Sequence, residues 1–196
     1  SHATSKSSYS AGLGNNRMLV VAVADECNNC VGSVSSITYG STALTFQVER
    51  TRGGDVVAEI WTLDEAGIAA EGGSASFTVN WSSGPTDELF SVVTIANVDQ
   101  STPVPDTDRA RGSTDNLTIG PLDAGDNEMV YYASATRAVT SHTPSTNYTE
   151  LSDQSSGLTL ANAYRTLTSA SSESPTATMV VSSSMVMVGL YFQVNS

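Results

Sequence analysis

Short apolar runs with a period of two recur along almost the whole of this 196-residue chain. In Ser74–Trp81, the side chains of Ala75, Phe77, Val79 and Trp81 alternate with polar ones, so these four share one face of a strand. Clusters of Gly, Pro, Asn, Asp and Ser separate the runs, as is typical of strands joined by turns. The pattern therefore predicts an all-β fold with Trp81 in its core.

The same pattern predicts about eleven strands, over residues 17–25, 34–39, 43–50, 55–64, 74–82, 89–97, 115–120, 127–137, 157–168, 176–181 and 184–194. Only residues 64–72 are compatible with a helix, and this short, glycine-containing stretch predicts one turn at most. Strands without intervening helices favour a two-sheet antiparallel β-sandwich, jelly-roll-like or concanavalin-like. We expect one domain over residues 1–196, in which residues 1–14 form a first strand or an arm exchanged between subunits.

The charge of the chain restricts its partners. Twenty acidic and eight basic residues give a formal net charge of −12, and such a field repels phosphate backbones and anionic lipid surfaces. No window of about 18 apolar residues occurs, so the sequence offers no membrane-spanning segment. We therefore expect neither nucleic-acid binding nor membrane insertion.

Cys27 and Cys30 are the two cysteines of the chain. A C-x-x-C pair can act in redox exchange, supply half of a zinc site or close a small disulfide. Redox pairs usually lie at a helix N-terminus, whereas this pair follows a strand in an acidic loop. Zinc would need further ligands, and the chain has only two histidines. We predict a disulfide, which implies an oxidising compartment outside the cytoplasm.

Several segments occur in an order that is familiar from other proteins. They are NNRMLVVAV at 15–23, VSSITYGSTALT at 34–45, EIWTL at 59–63, VDQSTP at 98–103 and VGLYF at 188–192. This succession resembles a widespread bacterial extracellular β-sandwich module found in large surface, adhesin-like and polysaccharide-associated proteins. The resemblance implies the fold and an extracellular location, and it brings no functional residues with it.

Glycan binding requires aromatic faces that stack on sugar rings, with carboxylates or amides beside them. Alternate residues from Val56 to Ile60 form an apolar face, which places Trp61 beside Glu59 on the opposite face. Tyr148 lies in a polar stretch and is expected to reach solvent. We predict Trp61, Glu59 and Tyr148 as ligand-binding residues, and packing under a loop or at a sheet edge is the alternative for each aromatic ring.

Two acidic loops are candidates for a calcium site. One contains Asp99, Asp106 and Asp108, and the other contains Asp123 and Asp126. Calcium takes six to eight oxygen ligands, which carboxylates and turn carbonyls can supply. The spacing matches no EF-hand, and turn-forming Asp residues that bind their own backbone are the alternative explanation.

Nucleophilic catalysis by a serine needs a base, and only His2 and His142 can supply an imidazole. His2 lies at the end of the sequence and His142 in a polar turn, so we expect both to be solvated. No serine has a G-x-S-x-G elbow around it. A glycosidase or lyase would need convergent carboxylates, and this polysaccharide-active enzyme is kept as a third alternative.

These observations predict a non-catalytic, secreted surface module that binds polysaccharide or a cell-surface glycan. Calcium is the one cofactor considered. The alternative is a structural subunit of an extracellular filament or surface layer, in which the N-terminal strand adds to a neighbouring copy of the chain.

Overall fold

The computed structural model of the protein describes residues 2–26 and 34–195. The predicted disulfide between Cys27 and Cys30 falls outside these residues and stays a prediction. Within them the chain forms one short helix, α1 (Glu65–Ala70), and sixteen strands. In chain order the strands are β1 (His2–Ser10), β2 (Met18–Glu26), β3 (Val34–Tyr39), β4 (Thr42–Ala43), β5 (Thr45–Arg52), β6 (Val56–Leu63), β7 (Ser74–Trp81), β8 (Asp87–Ile95), β9 (Thr107–Thr118), β10 (Leu122–Ala124), β11 (Met129–Thr136), β12 (His142–Pro144), β13 (Thr149–Ser156), β14 (Leu158–Thr166), β15 (Ser171–Glu173) and β16 (Thr176–Phe192).

The described strands form three larger antiparallel sheets and one two-stranded ribbon. The N-sheet has the strand order β1-β7-β3-β4, and the middle sheet has the order β5-β6-β2-β8. The C-sheet has the order β12-β16-β11-β14-β13, and β9 also pairs with β16. The ribbon consists of β10 and β15.

The two inner strands of the middle sheet, β6 and β2, are buried on both faces, between the N-sheet and the C-sheet. All of β6 is buried, and so are the first eight residues of β2. Val20 packs in the cluster shared with the C-sheet, whereas the next residue, Val21, packs in the cluster shared with the N-sheet. A strand that is covered on both faces must be apolar throughout rather than alternating, which explains the continuous run at the start of β2.

A third apolar cluster lies on the other face of the C-sheet. Tyr132 on β11 and Met187 on β16 belong to it, together with Leu122 on the ribbon. The ribbon therefore covers part of the outer face of the C-sheet.

The all-β prediction with antiparallel sheets is confirmed, and Trp81 is fully buried as expected. The predicted number of two sheets is too low, because strands that are apolar on both faces belong to a middle layer. The jelly-roll and concanavalin-like topologies stay predictions. Helix α1 is slightly longer than one turn, since the Asp64 side chain caps it by accepting a hydrogen bond from the Gly67 N–H at 2.8 Å. No helix in the described part of the chain is long and apolar enough to cross a membrane.

The strands that sequence reasoning missed or left open are mainly polar. Strand β13 and the first half of β9 have few buried residues, so they carry no apolar period. Strand β1 is similarly polar and forms one edge of the N-sheet, paired with β7 of its own chain. Edge strands tolerate polar residues on both faces, so only pairing with a neighbour identifies them.

Candidate functional site

The predicted pair of Trp61 and Glu59 does share one face of β6, but that face is covered by the N-sheet. Trp61 is 7 % exposed and Glu59 is 1 % exposed. The indole Nε1–H of Trp61 donates to Glu59 Oε2 at 2.7 Å, and the backbone N–H of Val34 donates to Glu59 Oε1 at 3.2 Å. A sugar ring cannot reach either side chain, so their predicted contact with ligand is corrected to a role in packing.

Tyr148 is half-buried rather than open to solvent. Its ring lies 5.6 Å from that of Tyr132, centroid to centroid, and its hydroxyl donates to Glu173 Oε2 at 3.0 Å. Burial and the nearby Glu173 carboxylate raise the pKa of the Tyr148 phenol. Tyr148 thus packs against the outer cluster of the C-sheet and is only partly accessible, and its contact with ligand stays a prediction.

The acidic loops do not converge on a metal site in the described residues. Asp99 Oδ1 accepts from the backbone N–H groups of Ser101 and Thr102, at 2.7 and 2.9 Å, which is a turn stabilised by its own side chain. The hydrogen bond from the Ser101 hydroxyl, followed by these two backbone bonds, lowers the pKa of the Asp99 carboxyl.

Three of the other four predicted calcium ligands accept hydrogen bonds from backbone N–H groups. Asp106 Oδ1 accepts from the Thr107 N–H at 2.8 Å, Asp108 Oδ2 accepts from the Gly120 N–H, and Asp126 Oδ1 accepts from the Ala170 N–H. Asp123 lies on the ribbon strand β10, opposite Ser172. Turn and loop closure account for most of these acidic residues without a cation.

His142 differs most from its predicted solvated state. Its side chain is fully buried, its Nδ1 lies 3.0 Å from Glu150 Oε2, and its Nε2 lies 3.1 Å from the Tyr132 hydroxyl. Its backbone N–H donates to Asp153 Oδ2 at 2.9 Å. Burial lowers the pKa of the imidazole, although Glu150 and Asp153 oppose that effect.

This hydroxyl, imidazole and carboxylate are arranged in the order of a catalytic triad. The hydroxyl belongs to Tyr132, which is itself fully buried in the outer cluster, and burial raises the pKa of this phenol. A hydroxyl that no substrate can touch cannot act as a nucleophile. The chain of hydrogen bonds instead joins β11, β12 and β13, and so fixes the outer face of the C-sheet.

A polar groove lies between β5 and β9, at the edge where the middle sheet meets the C-sheet. We call it the edge groove; it has a volume of about 320 Å³ and is lined by Phe46, Gln47, Val48, Glu49, Thr107, Asp108 and Arg109. Phe46 is 47 % exposed, and its ring packs edge-on against the buried Trp61, with 5.2 Å between ring centroids. Its neighbour Gln47 donates from Nε2 to Thr62 Oγ1 at 2.7 Å.

The edge groove thus combines the two elements of a sugar site, an exposed aromatic ring and several polar groups. A bulge between Phe46 and Val48 interrupts the pairing of β5 with β6, and bulges are a common means of redirecting a side chain. Sequence reasoning selects the partner ring, Trp61, and misses Phe46, because the alternation of Leu44, Phe46 and Val48 with polar residues makes Phe46 look like a core residue. The alternation is unbroken at Gln47, so the sequence gives no sign of the bulge.

Comparison of the chain with protein-family models, with curated proteins and with solved structures gave no match. The resemblance to the bacterial extracellular module therefore stays a prediction.

Proposed function

We propose that the protein is a non-catalytic surface module that binds polysaccharide or a cell-surface glycan through the edge groove. The exposed ring of Phe46 beside the polar groups of the groove is the observation that carries the proposal. Sugar rings offer apolar C–H faces to an aromatic ring and hydroxyls to carboxylates, amides and guanidiniums. Such a function places the protein outside the cytoplasm, on or near a cell surface.

The position of Phe46 suits this role because its ring packs against a buried neighbour. Trp61 packs against its edge, and Trp61 is itself fixed by the hydrogen bond to Glu59. A ring that is already ordered loses little conformational entropy when ligand binds. The groups that sequence reasoning assigned to ligand contact therefore support the exposed ring from the interior.

Phe46→Ala is expected to weaken polysaccharide binding about tenfold, since a lost stacking contact of about 1.4 kcal/mol corresponds to that factor. Affinity electrophoresis against a broad panel of soluble polysaccharides measures the change. Leu151→Ala is the matched control, because Leu151 is also a half-exposed apolar side chain, at 41 %, but lies on β13. If the wild-type chain is retarded by no polysaccharide in the panel, the proposal is wrong.

A second candidate function is assembly into a filament or surface layer by exchange of β1. Strand β1 is the first strand in the described part of the chain and forms one edge of its sheet. The segment that joins it to β2 contains Gly12 and Gly14, both with positive φ, and a Leu13 side chain that is 99 % exposed. A short exposed connection of this kind lets a terminal strand pair with its own sheet or with that of a neighbour.

The contacts of β1 describe what a neighbouring copy would have to reproduce. Lys6 forms an ion pair with Glu88 on β8, with Nζ and Oε1 2.5 Å apart, and Thr4 donates to the same carboxylate at 3.1 Å. The backbone carbonyl of Tyr9 accepts from the Tyr39 hydroxyl at 2.7 Å. These contacts are polar and specific, so they would fix the register of an exchanged strand.

A disulfide between Ser5→Cys and Thr78→Cys tests this candidate, because these residues are directly opposite in the pairing of β1 with β7. Exchange predicts concentration-dependent polymers of the wild-type chain, and only monomers of the oxidised double variant until it is reduced. Light scattering over a concentration series measures both, with Ser5→Cys alone and the wild-type chain with reductant as controls. A wild-type chain that stays monomeric at millimolar concentration excludes exchange.

A further inference from the structure

The cationic side chains divide into two groups. Four of the eight lie within 4.0 Å of a carboxylate oxygen, namely Lys6, Arg17, Arg137 and Arg165. The other four have no such ion pair in the described part of the chain, and all lie on β5 or β9: Arg50, Arg52, Arg109 and Arg111. In a chain with a net charge of −12, the unpaired cations are therefore concentrated at one edge.

Two guanidinium groups of this cluster, those of Arg109 and Arg111, lie on either side of Arg50. Arg109 Nη1 donates to the backbone oxygen of Glu49 at 3.0 Å, and Arg111 Nη1 lies 3.4 Å from the backbone oxygen of Thr51. Glu49 and Thr51 are the two residues that flank Arg50. Two side chains from β9 thus reach across to the backbone of β5 on either side of a third arginine.

The acceptors that the cluster uses are neutral. Besides these backbone oxygens, Arg52 donates from Nη1 to the Ser184 hydroxyl at 3.2 Å and from Nη2 to that of Ser113. The buried Nε–H of Arg50 has no acceptor among the described residues. Burial, followed by the neighbouring charges of Arg111 and Arg109, lowers the pKa of the Arg50 guanidinium, and Asp108 opposes this only in part.

We propose that Arg50, Arg52, Arg109 and Arg111 form a site for an anionic group, a carboxylate or a sulfate, carried by an acidic polysaccharide. The inference rests on the proposed function and narrows it from glycans in general to acidic ones. Guanidinium groups bind carboxylate and sulfate oxygens with paired hydrogen bonds. Arg109 also lines the edge groove that contains Phe46, so one polymer can contact the aromatic ring and the cations together.

The net negative charge of the protein does not prevent this binding. Exposed charges are screened over about 8 Å at physiological salt, so an anionic group at the cluster responds mainly to the nearest side chains. The rest of the acidic surface repels polyanions that approach elsewhere. An acidic polymer is therefore expected to bind at the arginine cluster in one orientation, and not to adsorb over the whole surface.

The test compares polygalacturonate, dextran sulfate and neutral dextran as ligands of the full chain by isothermal titration calorimetry. Arg109→Gln and Arg111→Gln are each expected to weaken binding to an acidic polymer about tenfold, because each removes a charged hydrogen-bond donor. Both side chains are exposed, so the variants retain the fold, which circular dichroism verifies. Uronate and sulfate polymers distinguish the two sources of the anion.

Lys6→Gln is the matched control, because it makes the same change in net charge on β1, where Lys6 pairs with Glu88 of β8, at the opposite edge of the middle sheet from β5. Lys6→Gln is expected to change the affinity for the acidic polymer less than twofold relative to the wild-type chain. Equal losses in Lys6→Gln and in the arginine variants would show a response to net charge alone and would overturn the inference.

The remaining outcomes separate this inference from the proposed function. If neutral and acidic polymers bind equally, and Phe46→Ala but neither arginine variant weakens them, the glycan proposal stands and the anion site is wrong. If the arginine variants lose affinity for acidic polymers while Phe46→Ala does not, the anion site stands and the aromatic platform is wrong.

Discussion

Trp81→Ala is expected to lower the free energy of unfolding by about 3–5 kcal/mol, the usual cost of removing a buried Trp or Phe side chain. Trp81 is fully buried between the N-sheet and the middle sheet, in a cluster with Phe77 and Val79 on the same strand. Its Nε1–H also donates to Thr4 Oγ1 on β1 at 2.9 Å. The substitution thus opens a cavity in the cluster and releases one contact of the terminal strand.

Urea unfolding followed by circular dichroism measures this loss. Thr4→Val serves as the control, since it opens no large cavity and removes only the two hydrogen bonds of the Thr4 hydroxyl, to Trp81 and to Glu88, at an expected cost of about 1–2 kcal/mol. A cost for Trp81→Ala that is no greater than that of Thr4→Val would mean that the two sheets do not pack as described.

Glu173→Ala is expected to lower the free energy of unfolding by about 2–3 kcal/mol. The Glu173 carboxylate is 6 % exposed and accepts from the Tyr148 hydroxyl at 3.0 Å and from Arg165 Nη1 at 2.9 Å. Removing it leaves a half-buried hydroxyl and a cation without their partner. Arg165 is 32 % exposed and regains water, so the cost stays below that of breaking a fully buried ion pair.

The variant Glu173→Gln separates the two contributions, because an amide oxygen can still accept from Tyr148 but carries no charge for Arg165. Glu173→Gln is expected to lower the free energy of unfolding by about 1 kcal/mol. Chemical denaturation of both variants provides the comparison. Equal stability of Glu173→Ala and the wild-type chain would contradict the attachment of the ribbon to the C-sheet through this carboxylate.

The apolar strands could be predicted from the sequence, because burial imposes a pattern that is readable locally. The run at the start of β2 and the alternation in β7 are both found where expected. What sequence reasoning missed is the number of layers. An apolar strand shows that both of its faces are covered, but it does not show whether loops or another sheet cover them.

The candidate site was less predictable for a related reason. Trp61 and Glu59 were placed correctly on one face, yet only the position of the N-sheet decides that this face is buried. The polar neighbours of His142 in the sequence predict a solvated imidazole, whereas its contacts come from β11 and β13. The arginine cluster needs β5 and β9 to be adjacent, and these strands are 54 residues apart between their ends.

When both faces of a sheet are covered by other layers, a ligand can reach only its edge strands. In this protein the edge strand β5 carries Phe46 and Arg50, and β9 of the C-sheet lies beside it with Arg109 and Arg111. A combinatorial library confined to the outward-facing positions of β5 should therefore yield variants with new ligand preferences and nearly constant melting temperatures. Under the proposed function, ligand preference would depend on this edge, whereas stability would depend on the covered layers.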